Sequence, residues 1–116
     1  MESLNRIEIK GVVGSCRSVQ MGTSSITTFS VAVEYGYKHD GENIIETTWF
    51  GVSAWDKEGT EAAVSLKRGD RVHVVGRVRT YRFDNADGSV RNGFEIVARS
   101  IKVVGDEDEP LEPQKD

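Results

Sequence analysis

Cysteine occurs once in this 116-residue chain, at Cys16, and histidine only twice, at His39 and His73. One thiol cannot close an intrachain disulfide, which fits a reducing compartment. No evident base lies near Cys16 in sequence, so it reads as a small buried apolar residue and not as a nucleophile. With so few soft ligands and no carboxylates clustered at ligand spacing, no metal and no cofactor is expected. His73 alternates with valines, which suits a surface or an interface better than catalysis. The sequence also lacks a Gly-rich phosphate loop, a nucleophile elbow and a pair of catalytic carboxylates, so no enzyme is expected. No apolar run approaches membrane-spanning length and the N-terminus has no signal-peptide core. The expected location is therefore intracellular, with no membrane partner.

An excess of positive charge is missing too, since the formal net charge is −4. The deficit is local. Residues 106–116 carry six acids and one lysine, a net −5, whereas the preceding 105 residues carry 13 acids and 14 bases, a net +1. Both prolines, Pro110 and Pro113, fall in this acidic segment. Its composition reads as a disordered tail (106–116) behind a single folded domain (1–105). Such a tail can compete for a cationic groove, recruit basic partners or simply solubilise the chain. At this length one domain with one small core is expected, and 12 glycines point to many turns and bulges.

The most informative segment is Thr47-Thr48-Trp49-Phe50-Gly51-Val52-Ser53-Ala54-Trp55. Side chains alternate across a strand, so Phe50, Val52 and Ala54 form a core face. The opposite face then carries Thr47, Trp49, Gly51, Ser53 and Trp55, two indoles among very small neighbours. Two such rings on a solvent-facing strand need something to cover them. A loop or another subunit would serve, and so would flat ligands that stack, for which nucleobases are the natural candidates.

A second strand adds charge. In the run from Arg71 to Phe83, Val72, Val74 and Val78 point to a core while Arg77, Arg79, Tyr81 and Phe83 share the other face. Guanidiniums followed by rings suit a nucleic acid, because cations meet phosphates and rings meet bases. Arginines along a solvated edge strand, blunting edge pairing, are the competing explanation.

The remaining periodicity is nearly all strand. Leu4–Val13 alternates, Gly14 breaks it, and a continuation runs from Cys16 to Met21. A turn at Gly22-Thr23-Ser24 leads to a strand over Ile26–Tyr35. A loop from Tyr35 to Glu42 carries the hairpin signal Asp40-Gly41. The tryptophan strand follows near Ile44–Trp55. Asp56 is the expected N-cap of a short helix through Ala62, Ala63, Val64 and Leu66. After the arginine strand, Asp84-Asn85-Ala86-Asp87-Gly88 forms a hairpin tip, and a last strand covers Val90–Val104. Five strands with one short helix between the third and fourth predict an all-β fold, a five-stranded Greek-key OB-fold barrel.

At these residues the chain resembles the bacterial single-stranded DNA-binding protein family. The resemblance spans about residues 4–104. It rests on the ordered pieces Asn5-Arg6-Ile7-Glu8-Ile9-Lys10-Gly11-Val12-Val13-Gly14, Phe29-Ser30-Val31-Ala32-Val33, Glu46-Thr47-Thr48-Trp49, and Arg68-Gly69-Asp70-Arg71-Val72-His73-Val74-Val75-Gly76-Arg77-Val78-Arg79-Thr80. It implies sequence-independent binding and protection of single-stranded DNA in replication, recombination and repair. It also implies a homotetramer or else a dimer, a cytoplasmic, nucleoid-associated location, and replication or repair proteins as further partners. Base stacking would fall at Trp49, Trp55, Phe83 and Tyr37. Phe50 replaces the family's usual histidine, and the family's long linker and its Pro-Phe tip are missing.

The site expected from residues and resemblance together therefore has Trp49, Trp55, Phe83, Tyr37 and Tyr81 for bases. Arg77, Arg79, Arg82, Arg91 and Lys57 are expected on phosphates, with Lys38 and Arg6 beside them. Arg82 lies on the wrong parity for the main face. Two alternatives remain open at this point: a primosome-type OB protein that loads replication enzymes, and a protein-interaction module whose partner buries the aromatics.

Overall fold

A computed structural model describes residues 1–57 and 59–105. Its five strands are β1 (Ile7–Met21), β2 (Ser24–His39), β3 (Glu42–Trp55), β4 (Arg71–Asp84) and β5 (Val90–Val104), and a 3-10 helix (Glu61–Ser65) links β3 to β4. They close into a barrel in the order β1-β2-β3-β5-β4. The fold is thus the all-β OB-type barrel that the strand count and helix position predict. The acidic segment 106–116, expected as a tail, lies outside the described residues.

Alternation builds the interior. Ile9, Val13, Phe29, Val31, Val33, Val52, Ala54, Val72, Val74, Ile96, Ala98 and Ile101 are buried, and Ala63 and Leu66 from the helix segment close one end. These are mostly β-branched side chains on a period of two, which suits a half-buried pleated surface. Close strand approach needs Gly76, because a Cβ there would meet the Val97 carbonyl oxygen at 2.2 Å. The β4–β5 register shifts at the same point, where Val75 pairs with Ser100 and Gly76 with Ala98, so Arg99 is the extra residue of a bulge on β5.

Three local expectations are corrected. Gly14 does not end a strand: β1 runs through it with a bulge between Val13 and Cys16, so one strand pairs with β4 first and β2 afterwards. The stretch from Tyr35 to Glu42 is not a loop. β2 and β3 stay paired as far as His39 and Glu42, and only Asp40 and Gly41 turn, with φ of 51° and 81°. Positive φ at both central positions matches the twist of the flanking strands, which is why Asp-Gly outweighs its surroundings. The helix is a 3-10 turn whose N-cap position is Thr60 and not Asp56, and the Thr60 side chain makes no capping bond to it. Thr60 is buried and its hydroxyl donates to the Trp55 carbonyl at 2.6 Å, an anchor that Asp56 does not have.

Closure is uneven around the ring. β3 and β5 are parallel and share only the pairs Val52–Ile96 and Ser53–Val97. Before those pairs the β2–β3 and β4–β5 hairpins separate and project as two arms.

Candidate nucleic-acid interface

Register decides which side chains share a face. On β3, Trp49 lies beside Ala32 of β2 and Trp55 beside Ile26. Both indoles are on the outer face, 59% and 42% exposed. They are six positions apart, about 20 Å along an extended strand. Trp49 lies across Gly14, where a Cβ would come within 2.6 Å of its Cζ3 and 2.8 Å of Ser30 Oγ. Ser30 Oγ in turn accepts the Ser15 N–H at 2.9 Å. The indole therefore lies over the Gly14 backbone, with much of its surface open. Gly51, between the two indoles, has no atom within 4 Å of the position a Cβ would take. Ser53 departs from expectation: it is buried, because β2 and β5 flank it on both sides.

The β4–β5 hairpin places the second set. Its outer rows pair Arg77 with Val97, Arg79 with Glu95, Tyr81 with Gly93 and Phe83 with Arg91. Tyr81 covers Gly93, where a Cβ would sit 2.6 Å from the ring. This is aromatic cover of a strand glycine. The Arg91 guanidinium carbon lies 5.1 Å from the Phe83 ring centroid, a cation–π contact that orients the ring and supplies a cation beside it. Arg79 Nε is 3.4 Å from Glu95 Oε1, so its charge is partly compensated.

Two expected residues stand apart. The β2–β3 register runs without a shift from Phe29 to Tyr37, so Tyr37 keeps the core parity, opposite to that of Trp49. Its hydroxyl donates to Glu46 Oε1 at 3.2 Å, and that bond raises its phenol above the ordinary value. Arg82 is on the reverse face of the β4–β5 hairpin, opposite Asn92, and 3.6 Å from Asp84. Lys57 lies just past the end of β3, and Lys38 near the tip of the β2–β3 hairpin; both are exposed. Among the described residues no group of three or more His, Cys, Asp or Glu is placed to hold a metal. No helix of the described residues is long and apolar enough to cross a membrane.

A model of the single-strand binding protein family matches residues 4–104. The chain belongs to that family. Relatives include the single-stranded DNA-binding protein of Neisseria meningitidis serogroup A, 27% identical over 110 residues, which cover 92% of this chain and 63% of the relative. Single-stranded DNA-binding protein 1 of Chlorobaculum tepidum is 29% identical over 109 residues, covering 90% and 67%. The chain thus spans between 53% and 67% of the length of these and other curated relatives. Among solved structures, a small single-stranded DNA-binding protein from Streptomyces coelicolor superposes with a TM-score of 0.69 at 25% identity, covering 90% of this chain and 96% of that one. Plasmodium falciparum SSB in complex with single-stranded DNA superposes at 0.77, with 22% identity and coverage of 90% and 96%, and this likeness concerns the fold.

This member of the single-strand binding protein family carries one exposed ring that alternation alone misplaces. Phe94 shares the parity of the buried Ile96 and Ala98, yet it is 56% exposed because the hairpin overhangs the barrel there. It borders a cleft that also takes in Arg17, Ser30, Gly51, Tyr81 and Glu95, and so bridges the two arms. Strand pattern gives no hint of Phe94, since it does not say where a barrel ends.

Proposed function

We propose that this chain binds single-stranded DNA, without sequence preference, along the outer face shared by β3 and the β4–β5 hairpin, and that it protects exposed strands in replication, recombination and repair. The observation that carries this reading is the set of open aromatic faces on one continuous surface. Trp49, Trp55, Tyr81 and Phe83 are all exposed and are interleaved with Arg77, Arg79 and Arg91. Each stacked base contributes about 1–3 kcal/mol, and every base offers a π-face, which is why such a surface tolerates any sequence. Phosphate contacts add a salt-dependent share. Phe94 joins the aromatic set from the cleft between the arms.

The names of the relatives support the ligand, and the fold likeness to a structure solved with single-stranded DNA supports the surface. One barrel offers a short track, so the working form in this reading is a homo-oligomer, a tetramer or a dimer. Its location is cytoplasmic and associated with the nucleoid, and its further partners are replication and repair proteins. Residues 1–105 form the binding domain and 106–116 an acidic tail.

Titration with oligo(dT) at low and high salt, followed by tryptophan fluorescence, tests the proposal. Strong quenching that weakens with salt is the expected result. An emission unchanged at low salt would return both indoles to a protein contact.

A further inference from the structure

The cations of the β4–β5 hairpin are largely engaged: Arg79 with Glu95, Arg82 with Asp84, and Arg91 over Phe83. Three cations that make no such contact line a single cleft. This cleft lies beside the β5 bulge, where Arg99 is the unpaired extra residue between Ala98 and Ser100, and is lined by Asn5, Arg6, Lys57, Arg77, Val97 and Arg99. Among the described residues Lys57, Arg77 and Arg99 make no ion pair, while Arg6 reaches only Glu8, at 3.8 Å. Glu8 in turn is held by His73 Nε2 at 2.5 Å.

The cleft is built on fixed backbone. The side chain of Asn5 mimics a strand against β4, donating to the Val78 carbonyl at 2.7 Å and accepting the Val78 N–H at 2.9 Å. This pins the N-terminal segment that carries Arg6. On the opposite wall, the Ile101 N–H donates to the Gly59 carbonyl at 2.9 Å, and a Cβ on Gly59 would meet the Arg99 carbonyl oxygen at 2.5 Å. The corner after Trp55 is thereby held against β5, which brings Lys57 toward Arg99. Parallel pairing of Ser53 with Val97 brings the end of β3 beside the β5 bulge, where Arg99 is exposed.

From this we infer that the cleft of Arg99, Lys57, Arg77 and Arg6 is a second, purely electrostatic subsite that takes the sugar-phosphate backbone of the strand where it leaves Trp55. The strand then turns across β5 toward the N-terminal segment as well as following the β4–β5 hairpin. Nothing in the cleft offers a ring to stack on, so it grips phosphodiesters and not bases. Arg99 is its distinguishing member, since it is the bulge residue of β5 and belongs to none of the segments from which the stacking surface is read.

The inference rests on single-stranded DNA binding by the chain, and the two are separable by experiment. Arg99→Ala, Lys57→Ala and the double variant are titrated with a long oligo(dT) from 50 mM to 1 M salt. Each lost phosphate contact lowers the logarithmic salt slope by about 0.7, which is a roughly eightfold affinity gain forfeited between 1 M and 50 mM. The double variant should lose about twice that slope while quenching stays complete at saturation, and Arg99→Lys should restore the slope. Slopes equal to wild type, with intact quenching, would overturn the cleft and leave the stacking surface standing. An unchanged wild-type emission at low salt would overturn the stacking surface itself.

Discussion

Trp49 shows how a large apolar side chain is kept available on a protein surface. It lies over Gly14, which has no side chain to cover the ring, and Gly51 leaves the next outward position empty. The indole is held in place without being buried. Trp49→Ala should therefore cost little stability but about 1–3 kcal/mol of binding, roughly tenfold or more in Kd for oligo(dT) at low salt. An unchanged Kd with the variant folded would show that bases do not stack there. The sequence made Trp49, Trp55 and Phe83 legible because parity on a regular strand is a local property. It left Phe94 hidden, since its parity is that of the core and only the end of the barrel exposes it. Ser53 failed in the opposite direction, buried by neighbouring strands that its own strand does not reveal.

At the level of elements, the β4–β5 hairpin is less cationic than its sequence suggests. Reading β4 alone gives Arg77, Arg79, Tyr81 and Phe83 on one face, and that face is real. The partner strand supplies Glu95 opposite Arg79, and only the register exposes this pairing. Glu95→Gln removes the competing carboxylate. Binding to oligo(dT) should become tighter at 50 mM salt, with a salt slope steeper by about 0.7. A slope equal to wild type would mean that Arg79 already reaches the backbone despite Glu95, or never does. Strand lengths were the other element-scale surprise. Tyr35-Gly36-Tyr37-Lys38-His39 looks like a loop by glycine and polarity, yet cross-strand pairing continues until Asp40 and Gly41, the two residues that adopt positive φ. Turn geometry and not local polarity ends the arm.

At the scale of the whole molecule, strand order and the five-strand count were legible, because turn signals and period-two runs recur along the chain. The individual residue pairs that close the ring were not, since β1 with β4 and β3 with β5 join residues far apart in sequence. The β1–β4 closure carries the Glu8–His73 contact. The hydrogen bond from His73, and then the positive charges of His73, Arg6 and Lys10, hold the Glu8 carboxyl below its ordinary value of 4.5. A lowered folded-state value favours the charged form, so the stabilisation is complete above pH 4.5 and is lost as pH falls through the lowered value. Thermal melts of wild type and Glu8→Gln should therefore differ at pH 6 and converge toward pH 3. A gap that widens on acidification would contradict this.

The other closure, between β3 and β5, joins through just two residue pairs. Beyond them the hairpins stand apart like the jaws of a pair of tongs, with Gly51 and Phe94 in the throat and the barrel as the pivot. Only that two-pair ladder ties one jaw directly to the other, so a change in the twist of either arm alters the gap with few cross-strand hydrogen bonds to break.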